Sequence, residues 1–184
     1  MSRLAIGSIL IAEPFMLDLH FKRSVVLLTD HHPDDGSIGF ILNKTLKMSV
    51  NELINDFPEF DAKVYYGGPV ATDTIHYIHN VGEILDESRE IIKGIFWGGD
   101  FDKLKFLIEN ELIKPENIRF YIGYSGWEPG QLIQELKTGS WVIDFGHPNY
   151  VFKSKEEILW TKALENKGKN YSIIGQIPDS NNLN

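Results

Sequence analysis

The richest run of reactive side chains is Gly123-Tyr124-Ser125-Gly126-Trp127-Glu128-Pro129-Gly130-Gln131-Leu132, where a phenol, a hydroxyl, an indole, a carboxylate and an amide fall within nine residues. A strand ending at Tyr124 and a helix starting near Pro129, where a missing N–H costs nothing, would place them at one corner. Ser125 superficially resembles a nucleophile elbow, but Gly-x-Ser-x-Gly needs glycine at 127, where tryptophan stands. The hydrolase reading weakens accordingly. On the helix, Gln131 and Glu135 are four apart and share a face. They either line a polar site or form an ordinary solvated stripe, and the usual exposure of such residues favours the stripe.

His31, His32, Asp34 and Asp35 offer imidazole and carboxylate ligands that suit a divalent metal. Their strict succession in a Pro/Asp/Gly turn argues against convergence on one ion, and turn chemistry accounts for them without a metal. His76 and His79, three apart, fall on opposite faces of a strand. Tyr65-Tyr66-Gly67-Gly68-Pro69-Val70 reads as a strand end and a glycine turn, which could let a ligand approach the backbone. Without Gly-x-Gly-x-x-Gly spacing or a P-loop it supports no phosphate loop, and a structural turn is the expectation. Arg23 opens a strand and Asn43 closes its hairpin partner, so a guanidinium and an amide could meet at one sheet edge to hold an anion or tie down a loop. Tying is the expectation.

Composition narrows the function classes. With no cysteine, the chain has no disulfide framework, thiolate metal site, iron–sulfur cluster or cysteine nucleophile, which fits a reducing, cytoplasmic compartment. The net charge of −8, with four Arg among 18 basic residues, weighs against direct nucleic-acid binding. No run approaches the roughly 18 apolar residues of a membrane helix, and residues 4–12 read as a first strand rather than a leader. At 184 residues with 42% hydrophobic content, one domain is expected over residues 1–176, followed by a mobile tail over 177–184.

The elements that must position these residues follow from periodicity and turn chemistry. Strands are expected at 4–12, 23–29, 37–42, 62–66, 74–79, 90–97, 117–124 and 141–145. A six-residue loop, His31 to Gly36, would join the second and third strands as a hairpin. Ser49 with Glu52 has capping-box spacing for a helix of about two turns before Pro58. Asp100 caps an amphipathic helix over 101–112, Gly139 closes one over 129–138, and Ser154 with Glu157 opens one to about 166. Interspersed strands and helices without regular alternation predict a mixed α+β sheet.

Taken in order, GSILIAEP (7–14), FKRSVVLLTDH (21–31), GSIGFILNK (36–44), YGGPV (66–70), GYSGWEPGQLIQEL (123–136), Trp141 and Trp160 resemble the YqgE/AlgH-like family over nearly the whole chain to about residue 175. The resemblance implies a bacterial protein with a bifurcated mixed β-sheet curled into a pseudo-barrel and flanked by helices. It also implies the label of transcriptional regulator, which stems from a link to alginate production. It carries over no catalytic residue and no cofactor, and Ser125 stands where many relatives have Ala, so no serine nucleophile is implied. The favoured function is a non-enzymatic regulatory module that binds a small molecule or protein through Arg23, Asn43, Gly67, Gly68, Pro69, Tyr124, Trp127, Gln131 and Glu135. Alternatives are a metal-assisted hydrolase and a direct DNA-binding regulator, the latter disfavoured by charge and by the lack of a helix-turn-helix. Oligomeric state is left open.

Overall fold

A computed structural model of the chain describes residues 4–168 together with Tyr171, Ile173, Gln176 and Ile177. The expected tail lies, Ile177 apart, outside the described residues.

Strand β1 (Ser8–Ala12) is buried at every position, as a continuous apolar run covered on both faces must be. It pairs antiparallel with β2 (Val25–His32) and, on its other side, with β10 (Trp141–Phe145). The hairpin from β2 to β3 (Gly36–Ile41) is tighter than expected. Pairing continues through His31↔Ser37 and His32↔Gly36, leaving Pro33–Asp35 as the loop, with Gly36 at φ +94° closing the turn.

Strand β9 (Ile118–Trp127) organises the molecule. Its first half lies between β5 (Lys63–Tyr66), parallel to it, and β6 (Val70–His79), antiparallel to it; its last three residues pair with β3. Between these segments Gly123 takes φ +63°, and there the sheet bifurcates. A side chain at 123 has no room, because a Cβ would lie 2.6 Å from the Gly68 carbonyl oxygen and 2.8 Å from that of Val70. A short strand β4 (Thr45–Ser49), not anticipated from the sequence, pairs with β5.

The expected single strand over 90–97 is a hairpin, β7 (Arg89–Ile92) and β8 (Ile95–Trp97), because Gly94 at φ +78° turns the chain. With sheet order β10-β1-β2-β3-β9-β6-β8-β7, the curl brings the ends of the path together. Ile92 packs so closely on Gly7 that a Cβ there would lie 2.4 Å from Ile92 Cγ2, and Arg89 reaches Asp30 at 3.1 Å. The result is the α+β pseudo-barrel.

Helices cover what the curl leaves open. Helix α1 (Val50–Leu53) is one turn, shorter than expected; the Ser49 N–H donates to Glu52 at 2.6 Å as a capping box requires. Helix α2 (Phe101–Glu109) is capped by Asp100 and buries Leu104, Leu107 and Ile108 against β5, β6 and β9. Helix α3 (Gln131–Lys137) buries Leu132 on the outer face of β1–β3. Helix α4 (Pro148–Phe152) was not foreseen, and Ser154 caps back onto it by donating to the Asn149 carbonyl rather than opening α5 (Glu156–Glu165). Helix α5 seals the barrel interior with Leu159, Trp160, Ala163 and Leu164.

Candidate functional site

Where the sheet splits, a cleft of about 290 Å³ opens between the two branches. The β2–β3 hairpin contributes Asp35, Ser37 and Ile38; β6 contributes Val70; β9 contributes Tyr124, Gly126 and Trp127. The turn into α3 completes it with Glu128 and Gln131. The geometry follows from the glycines. A Cβ on Gly67 would meet the Gly123 carbonyl oxygen at 2.3 Å, and one on Gly68 would meet the Tyr124 carbonyl at 2.3 Å, so the β5–β6 turn lies directly on the β9 backbone. That contact sets Val70 opposite Tyr124.

Of the sequence-predicted residues, Tyr124, Trp127 and Gln131 line the cleft. Gly67, Gly68 and Pro69 are not among its lining residues; the space that missing side chains leave at Gly67 and Gly68 is filled by β9 backbone, not by ligand volume. Glu135 is one layer back. Its Oε2 accepts both indole N–H groups, from Trp127 at 2.9 Å and Trp141 at 2.8 Å, while Oε1 accepts the Gln131 amide at 2.8 Å. Gln131 in turn accepts the Glu128 backbone N–H at 2.9 Å. The expected solvated stripe is therefore an ordered clamp, because two indoles at its foot require an acceptor once they are buried. Phe21 packs against both indole rings.

Arg23 and Asn43 belong to the far end of the β2–β3 hairpin. Asn43 accepts the Val25 N–H and donates to the Arg23 carbonyl, both at 2.9 Å, so it is the expected tie. The Arg23 guanidinium lies 4.8 Å over the Trp160 ring and donates to the Ile177 carbonyl.

The other reactive groups are occupied. Ser125 is fully buried and donates to the Gly67 carbonyl at 2.9 Å. His31 Nδ1 meets the Ser37 hydroxyl at 2.8 Å, a cross-strand pair in which, among the described residues, no third group orients the imidazole as a nucleophile-activating base requires. His32 lies 3.2 Å from Asp35, and among the described residues no group of three or more His, Asp or Glu side chains could hold a metal ion. His79 accepts the Val81 N–H through Nδ1, so Nε2 carries the proton toward the Gly98 carbonyl at 2.8 Å; burial lowers its pKa, as it does for His76. Glu156, nearly buried at the head of α5, accepts from Tyr65 at 2.5 Å, Lys63 at 3.1 Å and Arg119 at 3.2 Å. Desolvation works to raise its pKa, but its backbone N–H, Lys63 and Arg119 outweigh that and hold the carboxyl below its ordinary value. Asp35 was weighed from the sequence as a metal ligand, Glu128 within the reactive run and Val70 at the end of a glycine turn, whereas Ser37 was not singled out.

The AlgH-like family model matches residues 9–172. This chain belongs to the AlgH-like family. A UPF0301 protein of Chlorobaculum parvum is 40% identical over 178 residues, covering 97% of this chain and 95% of that protein. One of Bacteroides fragilis is 41% identical over 180 residues, covering 97% and 90%. The solution structure of the AlgH protein from Pseudomonas aeruginosa superposes with a TM-score of 0.74 at 26% identity, covering 97% of this chain and 99% of that one. Protein DIP2367 of Corynebacterium diphtheriae shares the fold, with a TM-score of 0.78 at 22% identity over 96% of this chain and 94% of that one. The AlgH-like fold and the bifurcated sheet thus agree. No helix among the described residues is long and apolar enough to cross a membrane.

Proposed function

We propose that this AlgH-like chain is a non-enzymatic binding module whose ligand site is the cleft between the sheet branches. One observation carries the reading: polar groups just behind the cleft are saturated, whereas the Tyr124 hydroxyl and the Glu128 carboxylate, at its surface, have no side-chain hydrogen-bond partner among the described residues. Unsatisfied groups on a rigid, aromatic-walled concavity are what a ligand uses for orientation. The occupied state of Ser125, His79 and the His31–Ser37 pair supports binding over hydrolysis. A regulatory role follows if occupancy of the cleft changes how the neighbouring surface meets a partner. Cytoplasmic residence belongs to the same proposal and rests on the absence of cysteine.

The test is a fragment screen on the full chain, read by amide chemical shifts, with Gly126→Leu as the blocking variant. A Cβ at 126 would sit 3.4 Å from Tyr124 and Val70, ordinary contact, so the variant should fold and fill the cleft. Fragments that shift Val70, Tyr124 and Trp127 in the native chain should lose those shifts in Gly126→Leu. Shifts that persist undiminished would place binding elsewhere and end the proposal.

A further inference from the structure

Resting on the reading of the cleft as a ligand site, we infer that it selects a small organic cation, an ammonium carried on a flat apolar body. The inference comes from an inventory of donors and acceptors. Most donors at the cleft are engaged: one N–H of the Gln131 amide and the Trp127 indole N–H go to Glu135, and the Ser37 hydroxyl pairs with His31. Neither Lys nor Arg lines the cavity. What remains toward the opening is weighted to acceptors: the Glu128 and Asp35 carboxylates only accept, against the second N–H of Gln131 and the Tyr124 hydroxyl, which both donates and accepts. Two carboxylates with no lysine or arginine beside them favour a ligand that brings hydrogens and positive charge.

Charge and shape agree. Asp35 and Glu128 both line the opening; among the described residues the imidazole of His32 lies 3.2 Å from Asp35, and Glu128 forms no ion pair. Tyr124 and Trp127 put aromatic rings in the cleft lining, the kind of surface that attracts an ammonium, and Ile38 and Val70 suit an apolar body. A net charge of −8 raises the local concentration of cations around the whole molecule. The volume of about 290 Å³ lies at the small end of ligand pockets, which suits one ring and its substituent. A protein lysine would present the same ammonium on a thin stem that leaves the aromatic wall uncovered.

The experiment titrates the ¹⁵N-labelled full chain with benzylamine, benzyl alcohol, benzoate and n-butylamine at fixed ionic strength and neutral pH, following Val70, Tyr124 and Trp127. Benzylamine should bind at least fivefold more tightly than benzyl alcohol, benzoate should bind more weakly than either, and n-butylamine should trail benzylamine threefold or more. The double variant Asp35→Asn, Glu128→Gln should abolish the amine preference while leaving benzyl alcohol unchanged. Both side chains are exposed, so folding should persist. If benzyl alcohol or benzoate binds the cleft as well as benzylamine, the cation inference fails and the ligand site stands. If n-butylamine matches benzylamine, the flat-body part fails and a lysine-like ligand replaces it. If none of the four perturbs the cleft, both readings fail.

Discussion

Glu128 and Glu135 lie seven residues apart, one in the turn before α3 and one within it, yet one carboxylate is exposed with no side-chain partner among the described residues and the other holds two indoles and an amide. The same split separates Gly126, where a side chain would find ordinary contact, from Gly67 and Gly68, where it would strike backbone. Residue type does not distinguish structure from site in this corner of the molecule. Saturation does: a polar group already matched to the fold positions its neighbours, and an unmatched one is available to something else.

The harshest way to break this comparison is Gly68→Ala. Its Cβ would lie 2.3–2.4 Å from Tyr124 and Ser125 backbone atoms at φ +154°, and the expected loss exceeds about 3 kcal/mol in chemical denaturation. Gly126→Ala should stay within about 0.5 kcal/mol of the native chain. Similar losses for the two would erase the distinction between scaffold and cleft glycines.

Next comes Glu135→Ala, which leaves two indole N–H groups without their acceptor and should cost about 2–3 kcal/mol, with a shift in tryptophan emission. A neutral result would reduce the clamp to a surface contact.

Acid sharpens the picture from elsewhere in the molecule. Burial lowers the pKa of His76 and His79, so both are held neutral, and their contribution is complete above the unfolded histidine value near 6.5 and lost as pH falls through their lower folded values. Glu156 and Asp144 also have lowered pKa values; desolvation opposes this, but Lys63 and Arg119 in the first case, and Lys167 and Tyr150 in the second, prevail. Their contribution is complete above the ordinary carboxyl range and lost below it. Thermal midpoints should therefore fall in two stages, first below about pH 6.5 and again below about pH 4.5. Glu156→Gln should flatten the second stage. An unchanged acid limb in that variant would remove Glu156 from the account.

The smallest expected effect is the most diagnostic. Glu128→Gln should leave stability within about 0.5 kcal/mol, as for an exposed residue away from packing, and alter only ligand preference. A large loss would mean that Glu128 has a structural role like that of Glu135.

Much of the fold was legible because its signals are local. Asp100 capping α2, Gly139 after α3 and the apolar runs of β1 and β2 need only a few neighbouring residues to be read. Two stretches of the sheet were missed for different reasons: the β7–β8 hairpin because Gly94, within an otherwise mostly apolar stretch, was not taken as a turn, and β4 because its largely exposed residues form a strand only with β5, distant in sequence, beside them. In the site, Tyr124, Trp127 and Gln131 were visible as unusual residue types. Glu135 was read as part of a solvated stripe because nothing near it in sequence announces that Trp141 donates to it. Gly67 and Gly68 were expected chiefly as a structural turn while also standing among the candidate ligand residues, and the room their missing side chains leave is taken by Gly123 and Tyr124.

The pairing of β1 with β10, and the hydrogen bond from Trp160 to the Ala12 carbonyl at 2.9 Å, join the opening of the chain to its close. During synthesis the first strand can pair with β2 early, but its other edge and its α5 cover wait until more than a hundred further residues have left the ribosome. Until then Ile9, Leu10 and Ile11 remain sticky, which predisposes the nascent protein to chaperone capture and makes its final collapse a late, long-range event.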